Sequence, residues 1–255
     1  IRHGSIDRQA RGGNGLKAVL LAGGTGSRLR PLTKLYNKHM LPVGDRPMIG
    51  HAIAKVKEAG ITDVVLVTGR ESAGSFIAYL GSGREDGLSI TYRIQEKAGG
   101  IAEALAQAES AVDPDDKIVV ILGDNLFEEP LAPHVQAFAA QPDGAMVLLT
   151  RVDDPRRYGV PVFDETGRIV RIEEKPETAT TDQCVTGIYF YHADVFGIIR
   201  RLKPSRRGEL EITDVNNAYA AAGKLTYRTL TGWWTDAGTF DSLHEAAERM
   251  RRGQR

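Results

Sequence analysis

Apolar positions fall into short unbroken runs separated by stretches with helical spacing. KAVLLA (Lys17 to Ala22) ends in Gly-Gly and reads as a buried strand leading into a tight loop. From Pro47 to Ala59, Met48, Ile49, Ala52, Ile53 and Val56 share one helical face, with Pro47 suited to the first turn and Gly60 to the stop. A strand is predicted over Asp63 to Thr68 and a helix over about Ser72 to Leu80. The strand-like Leu88 to Gln95 precedes an Ala-rich helix over Ile101 to Ala111. Lys117 to Leu122 then precedes a helix over Leu131 to Ala139. This alternation of strand and helix predicts a parallel sheet covered on both faces. The second half is richer in strands: Ala145 to Arg151, Gly159 to Phe163, Ile169 to Glu174, Val185 to Tyr191 and Leu225 to Thr229. Two further helices fit Thr213 to Ala222 and Thr239 to Arg251. The fold class is therefore α/β, a mostly parallel sheet flanked by helices with a strand-rich C-terminal half.

Residues 1–15 (IRHGSIDRQARGGNG) are polar, Gly-rich and aperiodic. They read as a flexible tail or as partly a cloning remnant. Residues 16–255 read as one domain whose halves divide near residue 140. Among the 255 residues, 33 Lys and Arg balance 33 Asp and Glu, which argues against a nucleic-acid binder. Apolar residues at 42% and charged residues at 26% leave enough for a core and exclude wholesale disorder. Glycine is the outlier. Its 28 residues are about 11% of the chain against an average near 7%, pointing to tight turns or to backbone that approaches a ligand closely. No apolar run reaches the ~18 residues of a membrane span, and no signal pattern opens the chain. With a single cysteine, Cys184, and so no internal disulfide, a cytoplasmic protein without membrane partners is expected. Cys184 itself opens an apolar strand and reads as a small core residue.

Candidate chemistry lies in loops. Gly23-Gly24-Thr25-Gly26-Ser27-Arg28-Leu29 follows the first strand, where glycines let backbone N–H groups meet a phosphate. It is neither a dinucleotide fingerprint, since Leu29 takes the third glycine's place, nor a P-loop, since no Gly-Lys-Ser/Thr closes it. Arg28 and, downstream, Lys38 suit a triphosphate; two solvated basic residues beside a Gly-rich turn describe the loop equally well. Asp124 in Gly123-Asp124-Asn125 stands at the carboxyl end of a strand, where ligands of open α/β sheets collect, or simply caps a turn. Asp236 in Gly232-Trp233-Trp234-Thr235-Asp236-Ala237-Gly238 pairs with it for Mg²⁺ if the fold allows, or caps the helix from Thr239. Glu174 and Lys175 point to opposite faces of their strand unless Pro176 breaks it. The histidines share no zinc spacing.

Eight segments, in order, resemble the sugar-1-phosphate nucleotidyltransferases, and within them the short thymidylyltransferase branch specific for glucose 1-phosphate. They are Leu21 to Thr33, Asn37 to Ile49, Ile121 to Phe127, Asp153 to Val160, Glu173 to Pro176, Val185 to Tyr191, Arg207 to Asn216 and Trp233 to Thr239. The resemblance implies a Rossmann-like fold, with a nucleotide-binding half over 16–140 and a sugar-phosphate-binding half over 141–255. It implies Mg²⁺-dependent attack of glucose 1-phosphate on dTTP, serving deoxysugar synthesis of the rhamnose type. UTP is the alternative nucleotide, and a silent sugar-nucleotide-binding relative the alternative class. By motif position, Leu21, Gly23, Gly24, Thr25, Gly26 and Arg28 wrap the triphosphate, and Lys38 contacts the phosphates. Gln95 and Gly100 read the base, and Asp124 and Asp236 hold the metal. Asn125, Tyr158, Gly159, Glu174, Lys175, Thr186, Gly187, Arg207 and Trp234 hold the sugar phosphate. A homodimer or homotetramer is implied. Two departures stand out. The family's Pro-Asp-Gly-Leu-Ala-Gln is here Ala98-Gly99-Gly100-Ile101-Ala102-Glu103, and the chain resembles the form without a C-terminal regulatory extension.

Overall fold

The computed structural model describes residues 16–253, so the reading of residues 1–15 as a tail lies outside the described residues. In chain order the strands are β1 (Leu16–Ala22), β2 (Pro42–Val43), β3 (Arg46–Pro47), β4 (Asp63–Gly69), β5 (Ser89–Gln95), β6 (Lys117–Leu122), β7 (Asn125–Phe127), β8 (Ala145–Arg151), β9 (Gly159–Phe163), β10 (Ile169–Glu174), β11 (Gln183–His192), β12 (Leu225–Thr229) and β13 (Trp234–Asp236). The helices are α1 (Met48–Glu58), α2 (Ala73–Leu80), α3 (Ile101–Ala106), α4 (Ala132–Ala140), α5 (Val195–Ile199), α6 (Ile212–Ala221) and α7 (Phe240–Gly253).

The main sheet runs β10-β9-β11-β6-β1-β4-β5, with β8 beside β11 and β12 beside β8. Strands β5, β4, β1 and β6 are parallel neighbours. β11 runs against β6, β8 and β9, and β10 runs against β9. Seven of the nine strands therefore point one way, and only β10 and β11 oppose them. This is the α/β sheet that the alternation predicts. Strand alternation sorts the core into two layers. Val19 and Leu21 pack toward α3, α5 and α6; Ala18, Leu20 and Ala22 pack toward α1 and α4. A small third core of Val43, Met48, Leu126, Ala237 and Ala246 anchors α7 beside the β7–β13 ribbon.

Three differences from the pattern have simple causes. The helix expected over Ile101 to Ala111 ends at Ala106. The chain then tightens into i→i+3 bonds (Ala108 N–H to Leu105 O, 2.9 Å; Ala111 N–H to Ala108 O, 2.9 Å) before it enters β6. α5 has only 5 residues, too few for helical spacing to register. β7 and β13, with 3 residues each, are likewise below any periodic signal, yet they position the site. Among the described residues no helix is long and apolar enough to cross a membrane.

Candidate active site

Because β1, β5 and β6 are parallel, their carboxyl ends open on the same side. Gly23 to Thr25, Gln95, and Asp124 with Asn125 emerge there and border a cavity of about 700 Å³. All the expected site residues except Gly26 and Thr186 line it. Gly26 adopts φ 61° and turns the loop behind them, its carbonyl accepting from Thr33 Oγ1 at 2.7 Å. Thr186 is buried in the sheet, where its hydroxyl donates to Leu148 O at 2.9 Å. A Cβ at Gly23 would lie 2.3 Å from Gln95 Oε1, so a side chain there would displace the Gln95 amide.

The ribbon joins the two acids. Asp236 pairs with Asn125 in the β13–β7 ladder, and Ala237 N–H donates to Asp124 O at 2.8 Å. Asp236 therefore belongs to a strand and is no cap; Thr239 caps α7 instead, accepting from Ser242 N–H at 3.2 Å. Asn125 fixes the corner. Its Oδ1 accepts from Gly187 N–H (2.7 Å) and Trp234 Nε1–H (2.8 Å), and its Nδ2 donates to Asp124 Oδ1 (3.1 Å). Burial pushes the Asp124 carboxyl up, but the Lys38 ammonium, 2.5 Å from Oδ2, and neighbouring groups outweigh it and hold the carboxyl low. Asp236 goes the other way. Burial and the Asp124 charge raise it, against a 3.0 Å hydrogen bond from Tyr158 Oη and the nearby Arg157 and Arg28. Two carboxylates in repulsion, one buried and one half-buried, form an electrostatic sink for a cation. Among the described residues no group of three or more His, Cys, Asp or Glu is placed to hold a metal. A cation at Asp124 and Asp236 must therefore complete its shell with water or substrate oxygens.

The far wall is basic. Lys175 adopts φ 46°, a left-handed conformation that ends the β10 alternation, and its N–H donates to Tyr158 O at 2.9 Å. This turn brings Glu174 and Lys175 to the same cavity, with Nζ 3.4 Å from Glu174 Oε1. Glu174 Oε2 accepts from Thr213 Oγ1 at 2.7 Å. Arg207 is held by Glu211 at 2.9 Å, whose hydrogen bonding raises the guanidinium above its ordinary value. Arg157 also lines the cavity, its guanidinium 5.6 Å from the Tyr158 ring centre. It lies inside the Asp153 to Val160 segment, but nothing in the pattern separates it from its equally exposed neighbour Arg156. The arrangement is a polyanion cleft: cations around an acid pair, and no side chain poised as a covalent nucleophile. Cys184, fully buried, is pushed up to about 12 by burial and the Asp236 charge.

This combination has close counterparts. The profile of the family described as nucleotidyl transferase matches residues 17–253. The chain belongs to the nucleotidyl transferase family. A glucose-1-phosphate thymidylyltransferase of Neisseria meningitidis is 42% identical over 235 residues, 91% of this chain and 81% of that protein. One of Mycobacterium tuberculosis is 39% identical over 92% of this chain and 82% of that one. A Bacillus anthracis chain assigned as the same enzyme, solved with sucrose, superposes with TM-score 0.88 at 53% identity, covering 92% of this chain and 95% of that one. A UDP-glucose pyrophosphorylase solved with UDP-glucose gives TM-score 0.80 at 26% identity, over 93% of this chain and 98% of that one. The nucleotidyltransferase assignment accounts for a cleft built around charge rather than around a nucleophile–base pair.

Proposed function

We propose that this nucleotidyltransferase transfers a thymidylyl group from dTTP to glucose 1-phosphate with Mg²⁺, giving dTDP-glucose and pyrophosphate. The observation that carries the reading is the Asp124–Asp236 pair set among Arg28, Lys38, Arg157, Lys175 and Arg207 in one cavity. A phosphate oxygen of the sugar phosphate attacks the α-phosphorus of dTTP, a new P–O bond forms, and the bond to the β-phosphate oxygen breaks. Two polyanions must be held within bonding distance, so most of the barrier is repulsion and orientation. Arg28 and the glycine loop take the charge of the departing pyrophosphate. Lys38 leans on the α-phosphate while keeping Asp124 ionised. Lys175 and Arg207 hold the sugar's phosphate, and Glu174 with the backbone at Gly159 and Gly187 takes its hydroxyls. Asp124 and Asp236 would hold Mg²⁺, which when bound would supply further neutralisation of phosphate charge. A cytoplasmic address and a homo-oligomer belong to the same reading.

UTP is the second reading, favoured by the likeness to the UDP-glucose pyrophosphorylase. One methyl in an apolar pocket is worth only about 1–3 kcal/mol. The test is pyrophosphate release from dTTP, UTP, CTP, ATP and GTP, each with glucose 1-phosphate and Mg²⁺. A dTTP preference is the expected result, and a UTP preference transfers the assignment to the second reading. Absence of release from every pair overturns both.

A further inference from the structure

Glu103 stands where the family pattern has an amide, and its surroundings give it a task. Gln95 Nε2 donates to Glu103 Oε2 at 2.5 Å and points its other proton at Gly100 O, 3.3 Å away. Glu103 Oε1 in turn accepts from Gln107 Nε2 at 2.7 Å, so the carboxylate is clamped between two amides. Glu103 and Gln107 are one helical turn apart across the end of α3, which sets the carboxylate's position. A carboxylate and a carbonyl have only lone pairs to offer. Turning the Gln95 amide over would set its oxygen against both of them, so the orientation is forced. The nitrogen faces Glu103, and Oε1 faces the Gly23 wall of the cavity.

We infer that Glu103 is a positioning residue for base selection: it locks Gln95 so that an acceptor faces the nucleotide base. This rests on the reading above, in which Gln95 meets the pyrimidine. An outward acceptor fits a ring N–H, which thymine and uracil carry between their two carbonyls. Cytosine has a bare lone pair at that ring nitrogen and meets Oε1 with repulsion. The selection therefore concerns the 2,4-dioxopyrimidine class and leaves the methyl group to the apolar contacts.

The experiment compares kcat and KM for dTTP, UTP and CTP in the wild type, Glu103→Ala and Glu103→Gln, with the KM for glucose 1-phosphate as internal control. In Glu103→Ala the KM for dTTP should rise about tenfold and the dTTP-to-CTP ratio of kcat/KM should fall by a similar factor. The sugar-phosphate KM should stay in place. Glu103→Gln should restore most of the ratio, because its carbonyl still accepts from Gln95. If Glu103→Ala fails to fold, Glu103→Met keeps the bulk without the acceptor and carries the same expectation. An unchanged ratio in the variant without an acceptor overturns the inference alone. So does an equal loss for both substrates. A wild type that uses CTP as well as dTTP and UTP overturns it together with the reading of Gln95.

Discussion

Replacing His39 separates a buried neutral base from every other source of acid sensitivity in this protein. Its side chain is 2% exposed, its Nδ1 lies 2.7 Å from Asn37 Oδ1, and its ring closes against Gly123. Burial, aided by the Lys38 charge, pushes its pKa from 6.5 down to about 3. The sign follows directly. Below 6.5 the unfolded chain takes up a proton at this position while the folded one does not until about 3. The stability is therefore complete above 6.5 and is lost as pH falls toward 3. At about 1.4 kcal/mol per pH unit, the full window is worth roughly 5 kcal/mol and the interval from 6.5 to about 5 is worth roughly 2 kcal/mol. That is a large share of the ~5–15 kcal/mol that holds most domains folded. His39→Gln cannot titrate. It loses some stability at neutral pH with the ring's contacts, but its decline between pH ~6.5 and ~5 should be shallower by about 2 kcal/mol. Urea unfolding followed by tryptophan fluorescence at a series of pH values measures both slopes. His51, His134 and His192 are also held low by burial and contribute equally to the two proteins, so the difference isolates His39. Identical slopes would refute the reasoning.

The remaining expectations concern the cleft. Lowering the pH should protonate Asp236, whose carboxyl is raised by burial and by Asp124, before Asp124, which is held low. Half-saturating Mg²⁺ should therefore climb as pH falls, with activity recovered at high Mg²⁺; a Mg²⁺ requirement indifferent to pH contradicts this. Gly187→Ala sets a Cβ about 2.6 Å from the Asn125 amide, which has no slack. It should cost about 2–4 kcal/mol and at least tenfold in kcat, read by thermal unfolding and pyrophosphate release. A wild-type melting temperature would mean that Asn125 yields. Arg157→Ala should lower kcat by about 10–100-fold with a small change in either KM, as removal of a charge used mainly in the transition state does. A loss confined to KM would make it a binding residue only.

Most of the sheet was legible because its strands hold unbroken apolar runs of four or five residues with glycine or polar stops, as at β1, β4 and β6. The glycine loop was legible for a related reason, since few residue types tolerate such a close approach. The pairing of Asp124 with Asp236 was legible only through motif resemblance, not through the pattern. It depends on a ribbon of three-residue strands and on the small core under α7, neither of which leaves a periodic mark. The shared face of Glu174 and Lys175 was left open, because strand alternation opposes it unless the strand breaks, as the positive φ at Lys175 makes it do. Arg157 and the Gln95–Glu103–Gln107 clamp escaped because each depends on which way a side chain turns once the fold is made.

Asn125 shows why that last layer is chemical rather than topological. Motif position assigns it to the sugar phosphate, yet its amide is occupied within the chain. It takes N–H groups from the β11 bulge and from Trp234, and gives one of its own to Asp124. An aspartate could accept the first two bonds but would set a third negative charge beside Asp124. A leucine of similar size could make none of the three and would leave buried donors unpaired. The amide accepts twice through one atom and donates once through another, which meets all three demands of this geometry. The residue next to Asp124 therefore couples β11, the carboxyl end of β6 and the β7–β13 ribbon, so that displacing any one of them reaches the carboxylate.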